Sequence, residues 1–218
     1  MTFTDTSATS QSPAVAAPRA ASLPARVARL TGGLVLFGLS LALMVRADLG
    51  LGPWDVLHQG LARRLGLPIG TVTILVGALV LLAWVPLRQR PGPGTVANVV
   101  VVGIAADGSL ALLPTPHLLA LRLALLLLGT VLMAVATGLY VGAAFGPGPR
   151  DGLMTGLARR GIPVRVARTG IELTVLAFGF LAGGTVGIGT VVFALTIGPL
   201  VQLTLPLLAV SPEGARHG

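Results

Sequence analysis

Two stretches of this chain place an aspartate directly behind a Gly-Pro step, where a helix is expected to begin. They read Gly52-Pro53-Trp54-Asp55 and Gly148-Pro149-Arg150-Asp151. Proline is tolerated in a first helical turn because its missing N–H needs no partner there, and the helix dipole favours a negative charge at that end. Such helix starts can line a path for a solute or an ion. The candidate pathway residues from these stretches are Gly52, Pro53, Trp54, Asp55, Gly148, Pro149 and Asp151.

Three further polar residues fall inside apolar runs, where polar and ionisable side chains are costly and are therefore candidates for function. Asp107 is flanked by small residues, and Gln202 occupies the matching depth in a later run. Asn98 is a candidate hydrogen-bond partner between helices. We predict that Asp107, Gln202 and Asn98 belong to the pathway, Asp107 as a proton- or cation-coupling carboxylate or as a substrate contact. The alternative for Asp107 is a helix-end residue near the outer interface.

Two charged residues are interpreted as structural rather than functional. Arg168 and Glu172 lie one helical turn apart, a spacing that favours an ion pair. The chain has no cysteine, and its three histidines form no HxxxH or HExxH pattern, so no metal site and no cofactor are predicted. No hydrolase elbow or phosphate-binding loop is present either, so we predict no catalytic residues and no enzyme.

The composition around these residues is that of a membrane protein. Only 10% of the 218 residues are charged, against about a quarter in a soluble domain, and the mean hydropathy is +0.90. Several apolar runs approach the length of about 20 residues that crosses a bilayer. The net charge of +8 comes from arginines in short loops rather than from one basic face, which argues against a nucleic-acid partner. We predict an all-α polytopic protein whose partner is the lipid bilayer.

Six spans are expected, with charged or Pro- and Gly-rich segments between them. They cover residues 30–45, 69–87, 95–113, 118–144, 168–181 and 188–210. With the N-terminus in the cytoplasm, eleven arginines lie in inside segments and four in or near outside ones. This bias predicts a multi-pass membrane protein with both termini on the cytoplasmic side.

The two Gly-Pro stretches belong to a longer internal repeat. Between residues 50–64 and 146–160, ten of fifteen positions are identical, and Gly33 and Gly94 align with Gly129 and Gly189. Each half then contains three spans and one copy of the stretch. Because three is odd, the second half enters the membrane from the opposite side, which predicts a 3+3 inverted repeat of the kind found in secondary transporters. Gene duplication without transport is the alternative.

Each copy predicts a short amphipathic helix, since a dozen residues extend only about 18 Å and cannot span a bilayer. Two placements remain open. The helix lies flat at the interface with Trp54 as an anchor, or it enters the protein as a re-entrant half-helix with its N-terminus at a cavity.

The stretch Gly52-Pro53-Trp54-Asp55-Val56-Leu57-His58-Gln59-Gly60-Leu61, followed by Gly66-Leu67-Pro68-Ile69-Gly70 and a span, resembles the YczE/YyaS/YitT group of bacterial membrane proteins. The resemblance covers about residues 29–210. It implies a multi-pass protein of the bacterial cytoplasmic (inner) membrane with five or six spans, and it does not indicate a substrate.

Together these features predict a secondary transporter (permease) of an unidentified small molecule or ion. The alternative is a non-transporting membrane scaffold or accessory subunit. Small-xxx-small glycine spacings leave a homodimer open. The expected organisation is a disordered cytoplasmic tail over residues 1–28, a first half over 29–116, a second half over 117–210 and a cytoplasmic tail over 211–218.

Overall fold

The computed structural model of the protein describes residues 19–212, which form eight helices and one small two-stranded sheet. In chain order the elements are β1 Arg19–Ala21, α1 Leu23–Ala47, α2 Pro53–Leu65, α3 Ile69–Leu87, α4 Pro93–Leu112, α5 Leu119–Gly142, α6 Pro149–Ala158, α7 Val164–Leu181, α8 Ile188–Leu208 and β2 Val210–Pro212. The fold is therefore helical throughout, apart from one short pairing of strands at the chain ends.

Five of these helices are long and apolar enough to cross a membrane, namely α1, α3, α4, α5 and α8. Large apolar side chains point outward from them, including Leu82 and Leu195, which are 65% and 70% exposed. Outward apolar surface on this scale is expected where lipid rather than water covers the protein. The predicted span over residues 168–181 corresponds to α7, which has 18 residues and carries Arg165, Arg168 and Glu172.

The two predicted short helices are present as α2 and α6, and both begin in the same way. Gly52 and Gly148 have extended backbones with φ −63°, and the following proline is the first helical residue of each helix. Helix α2 is capped at its C-terminal end by Gly66, whose φ of +66° is a left-handed conformation that glycine adopts without strain. With 13 and 10 residues, the helices are about 20 and 15 Å long, too short to span a bilayer.

Helix α1 packs against α5, and the two run antiparallel because residues near the start of one meet residues near the end of the other. Gly33 of α1 lies against Ala136, Leu139 and Tyr140 of α5, so closely that an added Cβ would collide with them. Gly129 of α5 makes the same close approach to Ser40, Leu43 and Met44 of α1. Helix α4 then packs on α1, and α8 packs on α5.

The short helices are held inside the bundle by the remaining long ones. Helix α2 packs against α7 and α3, and α6 packs against α3 and α7. The two main contacts use opposite size patterns. Gly179 of α7 lies against the backbone of Val56 and Leu57 of α2, whereas Gly152 of α6 meets the indole of Trp84 of α3. Val56 and Trp84 are 0% and 1% exposed, so α2 and α6 form part of the protein core.

The chain ends meet in a parallel pairing of β1 with β2, in which Arg19 is opposite Val210 and Ala21 is opposite Pro212. The sequence predicted a tail over residues 1–28, but residues 19–28 belong to β1 and the first turns of α1. Arg26 and Arg29 hold this segment, because their guanidinium groups donate to Ala143 O and Leu208 O. Residues 1–18 and 213–218 of the predicted tails lie outside the described residues.

Candidate functional site

A cavity of about 460 Å³ lies where the N-termini of α2 and α6 meet in the bundle. Most of the predicted pathway residues line it: Gly52, Pro53, Trp54, Asp55, Asn98, Gly148, Pro149, Asp151 and Gln202. Long helices complete the wall with apolar side chains such as Phe37, Met133 and Ile197. The fold thus brings two helix starts that are 96 residues apart in sequence to a single polar site inside an apolar bundle.

Arg150 connects the two short helices across this cavity. Its Nη2 lies 3.2 Å from Asp55 Oδ1, and its guanidinium stacks over the Trp54 ring with its carbon 5.1 Å from the ring centre. Asp55 is 1% exposed, so the arginine compensates the charge of an almost fully buried carboxylate. Arg150 was not among the pathway residues that the sequence predicted. The available signal was its position, because it replaces Trp54 in the second copy.

His58 and Thr73 complete the surroundings of Asp55. Thr73 Oγ1 donates to Ile69 O, so the His58 nitrogen Nδ1, 3.2 Å from Thr73 Oγ1, carries the hydrogen of that contact. The same nitrogen lies 3.5 Å from Asp55 Oδ1. Burial lowers the pKa of His58 below its ordinary value although Asp55 opposes this shift, so the ring is neutral at pH 7.

The ionisation of Asp55 follows from these neighbours. Burial by itself raises the pKa of Asp55, but the charge of Arg150 and the hydrogen bond from His58 outweigh that effect and hold the pKa below its ordinary value. Asp55 is therefore a carboxylate at neutral pH, and with Arg150 it forms an ion pair between the two halves of the protein.

Asp151 is the counterpart of Asp55 in the repeat, but its surroundings differ. Its carboxylate faces the cavity and accepts a hydrogen bond from the Tyr140 hydroxyl at 3.3 Å. Within residues 19–212, no cationic side chain lies within 4 Å of it. Asp151 keeps an exposed surface on the cavity side, but the surrounding protein desolvates its carboxyl and raises the pKa of Asp151 above its ordinary value. Arg150, Tyr140 and Arg168 offset this shift only in part. Asp151 thus binds a proton more readily than Asp55 does.

Arg168 and Glu172 lie on the α7 side of the cavity wall. Arg168 Nε is 3.0 Å from Glu172 Oε1, and the two side chains are 54% and 33% exposed. The spacing of these two residues in the sequence predicted a structural ion pair. In the fold it also borders the site.

Asp107 does not line the cavity. Its carboxylate caps the start of α3, accepting hydrogen bonds from Gly70 N at 2.7 Å and Thr71 N at 3.0 Å. The Thr71 hydroxyl donates to the same carboxylate at 3.3 Å. The Asp107 carboxylate thus accepts from two backbone N–H groups in the first turn of α3 that have no partner within the helix. Its repeat counterpart Gln202 faces the cavity, so equal depth along two helices does not mean an equal environment.

No group of three His, Asp or Glu side chains within residues 19–212 is arranged to hold a metal ion. The charged groups of the cavity are instead paired with one another or, for Asp151, with a hydroxyl. Such an arrangement is suited to binding a solute in a partly apolar chamber.

A bundle with five candidate spans and a polar chamber between two short internal helices defines a polytopic helical membrane protein. Residues 24–206 match a family of unknown function (DUF6198), and the chain belongs to that family. It is 39% identical over 189 residues to an "Uncharacterized protein" of Haemophilus influenzae, a match that covers 84% of this chain and 87% of the relative.

Two relatives in Bacillus subtilis carry the names that the sequence suggested. The chain is 35% identical over 179 residues to the "Uncharacterized membrane protein YczE", covering 80% of this chain and 82% of the relative. It is 26% identical over 183 residues to the "Uncharacterized protein YyaS", covering 81% and 90%. The resemblance to the YczE and YyaS proteins is therefore confirmed. No solved structure matches the chain.

Proposed function

We propose that this protein is a secondary transporter (permease) that moves a small molecule or ion through the cavity between α2 and α6. In this proposal it spans the cytoplasmic membrane of a bacterium with both termini inside. The cavity residues act in binding and positioning rather than in catalysis. Asp107 supports α3, next to the pathway, rather than contacting the solute.

One observation carries the proposal. The two copies of the short helix point their N-termini at a single cavity, and Arg150 of α6 forms an ion pair with Asp55 of α2. Transporters with repeated halves bind their solute at the interface of the repeats, near discontinuous helical pieces. An ion pair across that interface changes whenever one half moves against the other. In an alternating-access cycle we expect this contact to differ between the two states.

Equivalent contacts in the two halves support a 3+3 inverted repeat. Arg26 donates from its Nε and Nη2 to the carbonyls of Ala143 and Ala144 at the end of α5. Its counterpart Arg122 donates from the same atoms to Ala47 and Asp48 at the end of α1. The donor arginine and both acceptor residues in one half are each 96 positions away from their counterparts in the other half. This is expected for two halves related by a two-fold axis.

Further equivalent contacts hold the short helices and the loops. Arg64 Nη2 donates to Leu181 O, and its counterpart Arg160 donates to Pro86 O. Gly189 N donates to Leu49 O at 2.7 Å, as Gly94 N does to Phe145 O at 3.1 Å. The cavity lies on the same axis, because its wall contains matching positions such as Phe37 and Met133, Asn98 and Phe193, and Val102 and Ile197.

The pairing of β1 with β2 supports six crossings rather than five. Paired strands lie at one end of the molecule, so the chain returns to the side from which it entered. That requires an even number of crossings, and α7 then crosses with the five apolar helices. Arg165 and Arg168 lie near the start of α7, where their long side chains extend toward the interface or the cavity.

The alternative function, a scaffold whose duplicated helices bind a partner, is less well supported. Helices α2 and α6 already pack against α7 and α3 of their own chain. Their buried residues include Trp54, Asp55, Val56 and Met154, so these are not available to another protein.

Filling the cavity tests transport directly. Gly198 lies in the centre of the stripe Ala194, Ile197, Gly198 and Val201 that lines the cavity from α8, and no atom lies within 4 Å of an added Cβ. Gly198→Leu therefore adds side-chain atoms that fill part of the cavity, and its Cβ collides with no other atom. Gly170→Leu on α7 is the matched control, because that position is exposed and an added Cβ there also meets nothing within 4 Å.

The full chain is reconstituted in liposomes, incubated with a defined mixture of amines, amino acids, sugars and organic acids, and the trapped solutes are identified by mass spectrometry. We expect at least one solute to accumulate with the wild type and with Gly170→Leu, and not with Gly198→Leu. Accumulation that is equal in all three proteins, or in none of them, would refute the proposal.

A further inference from the structure

We propose that Asp151 is a binding site shared by a proton and a small organic cation of single positive charge, which compete for its carboxylate. This inference deepens the proposed function and rests on it for the claim that the occupant is transported. It assigns the cavity a class of ligand, and it predicts that release of the cation accompanies uptake of a proton.

The charges that border the cavity carry the first step. Asp55 is paired with Arg150, and Glu172 is paired with Arg168. His58, on the α2 side, is neutral at pH 7 because burial lowers its pKa. Asp151 is then the one ionisable group of the wall, within the described residues, whose charge no partner within ion-pair distance neutralises.

The neighbours of Asp151 on each element do not change this balance. Tyr140 on α5 donates its hydroxyl, Arg150 on α6 is engaged by Asp55, and Arg168 on α7 is engaged by Glu172. The wall of α8 contributes Gln202, and that of α4 contributes Asn98, both uncharged. When Asp151 is ionised, the paired groups cancel and the lining has a net charge of −1, which a proton or a monovalent cation removes.

The repeat explains why one aspartate has a cation partner and the other lacks one. Asp55 is met by Arg150 of the opposite half. By the same relation, the residue that corresponds to Arg150 for Asp151 is Trp54, which has no charge. A cationic ligand would therefore occupy the place beside Asp151 that the guanidinium of Arg150 occupies beside Asp55.

The wall is also suited to the body of an organic cation rather than to a hydrated metal ion. Aromatic rings of Phe37, Trp54, Tyr140 and Phe193 line the cavity, and aromatic faces attract cations that are weakly hydrated. The indole N–H of Trp54 has no hydrogen-bond partner within the described residues, although the residue is only 7% exposed. It is available to an acceptor atom on the ligand or to a water molecule that accompanies it.

The test uses three aromatic probes of similar size: phenyltrimethylammonium as the cation, benzyl alcohol as the neutral match and benzenesulfonate as the anion. Binding to the full chain in lipid nanodiscs is measured by calorimetry, and proton release is followed with an indicator dye in weak buffer. We expect the cation to bind, to release protons as it binds, and to bind more weakly as the pH falls. Benzyl alcohol should bind more weakly than the cation, and benzenesulfonate should not bind.

Asp151→Asn should lower the affinity for the cation by about ten- to a hundredfold, the range expected for one charge-assisted interaction, and should abolish proton release. Asp48→Asn, at a partly exposed carboxylate outside the cavity, is the matched control and should behave as the wild type. Asp151→Glu keeps the charge and should retain both binding and proton release.

Several results would overturn the inference. Tighter binding of benzenesulfonate than of the cation would exclude a cation site, and so would proton release that survives in Asp151→Asn. If Asp151→Asn does not fold, cation binding to the wild type that is independent of pH still refutes it. If the cation binds as expected but no solute is transported, the proposed function is wrong and the cation site is retained. If only anions are transported, the cation site is wrong and the proposed function is retained.

Discussion

Arg150 at the start of α6 lies 3.2 Å from Asp55 at the start of α2, and this ion pair joins the two halves of the protein inside the cavity. Asp55 is 1% exposed, whereas Arg150 is 29% exposed. Removal of the arginine therefore leaves a buried carboxylate without its cationic partner, and removal of the aspartate leaves a charge that water can still reach. The two substitutions should not be equivalent.

We expect Arg150→Leu to destabilise the protein more than Asp55→Asn does. Breaking a fully buried pair costs about 3 to 5 kcal/mol, and the exposure of Arg150 reduces this to about 2 kcal/mol. The double substitution should be more stable than Arg150→Leu alone, because no charge is then left unpaired. Thermal unfolding in detergent measures all three variants. Equal losses for the two single variants would contradict a buried carboxylate at position 55.

Asp151→Asn should raise the melting temperature at neutral pH. The pKa of Asp151 is raised in the folded protein, so the folded state binds the proton more tightly than the unfolded state does. Stability is therefore lost as the pH rises through the folded pKa, and at neutral pH the ionised carboxylate is a cost that asparagine removes. The gain should be small, because the exposed surface of Asp151 lets solvent screen the charge. The gain should shrink as the pH falls toward the ordinary pKa of aspartate. A lower melting temperature for the variant at neutral pH would argue against this sign.

Asp107→Ala should have the opposite effect on stability. The substitution removes the acceptor for Gly70 N and Thr71 N at the start of α3, and loss of a helix cap costs about 1 kcal/mol. Unfolding in detergent should show this loss, while solute uptake by the folded fraction should match the wild type. Uptake that falls much further than the folded fraction would restore Asp107 to the pathway that the sequence predicted.

Gly152→Ala should destabilise the protein, because an added Cβ would overlap the indole of Trp84. Overpacking of this kind costs about 1 to 3 kcal/mol. The other half of the protein suggests the rescue, since Val56 and Gly179 occupy the equivalent positions with the sizes exchanged. Gly152→Val combined with Trp84→Ala should melt at a higher temperature than Gly152→Val alone. Failure of the second substitution to help would show that the two residues do not share this space.

Single cysteines at Leu67 and Ile162 test the inverted repeat. These residues are 40% and 39% exposed, they occupy equivalent loops after α2 and α6, and the protein has no cysteine of its own. With a membrane-impermeant maleimide on intact cells, position 67 should react from outside and position 162 only after the cells are permeabilised. Reaction of both positions from one side would exclude a 3+3 inversion.

The polar residues within the spans illustrate the limit of reasoning from sequence. Asp107 and Gln202 align in the repeat, and hydrophobic length correctly placed both within helices. Depth along a helix does not determine which neighbour the side chain faces. Asp107 faces the start of α3, whereas Gln202 faces the cavity, because α3 and its counterpart α7 pack differently around these two positions.

The pairing of β1 with β2 was not predicted for a similar reason. Arg19 and Val210 are separated by nearly the whole chain, and neither segment has a strand pattern of its own. Backbone groups left at the two chain ends pair only because α1 and α8 bring them together. Arg29 assists by donating to Leu208 O across the same gap.

The sequence by itself determined the class of the protein, the short helices behind Gly52 and Gly148, and the duplication that relates them. These properties depend on local composition, on helix length and on the conformations open to glycine and proline, all of which can be read within a few residues. Only the tertiary structure decided that Arg150 meets Asp55 and that Asp151 has no cationic side chain within ion-pair distance among residues 19–212. Those contacts cross about 95 positions of sequence, and they depend on which helices pack together and on which small residues permit close approach.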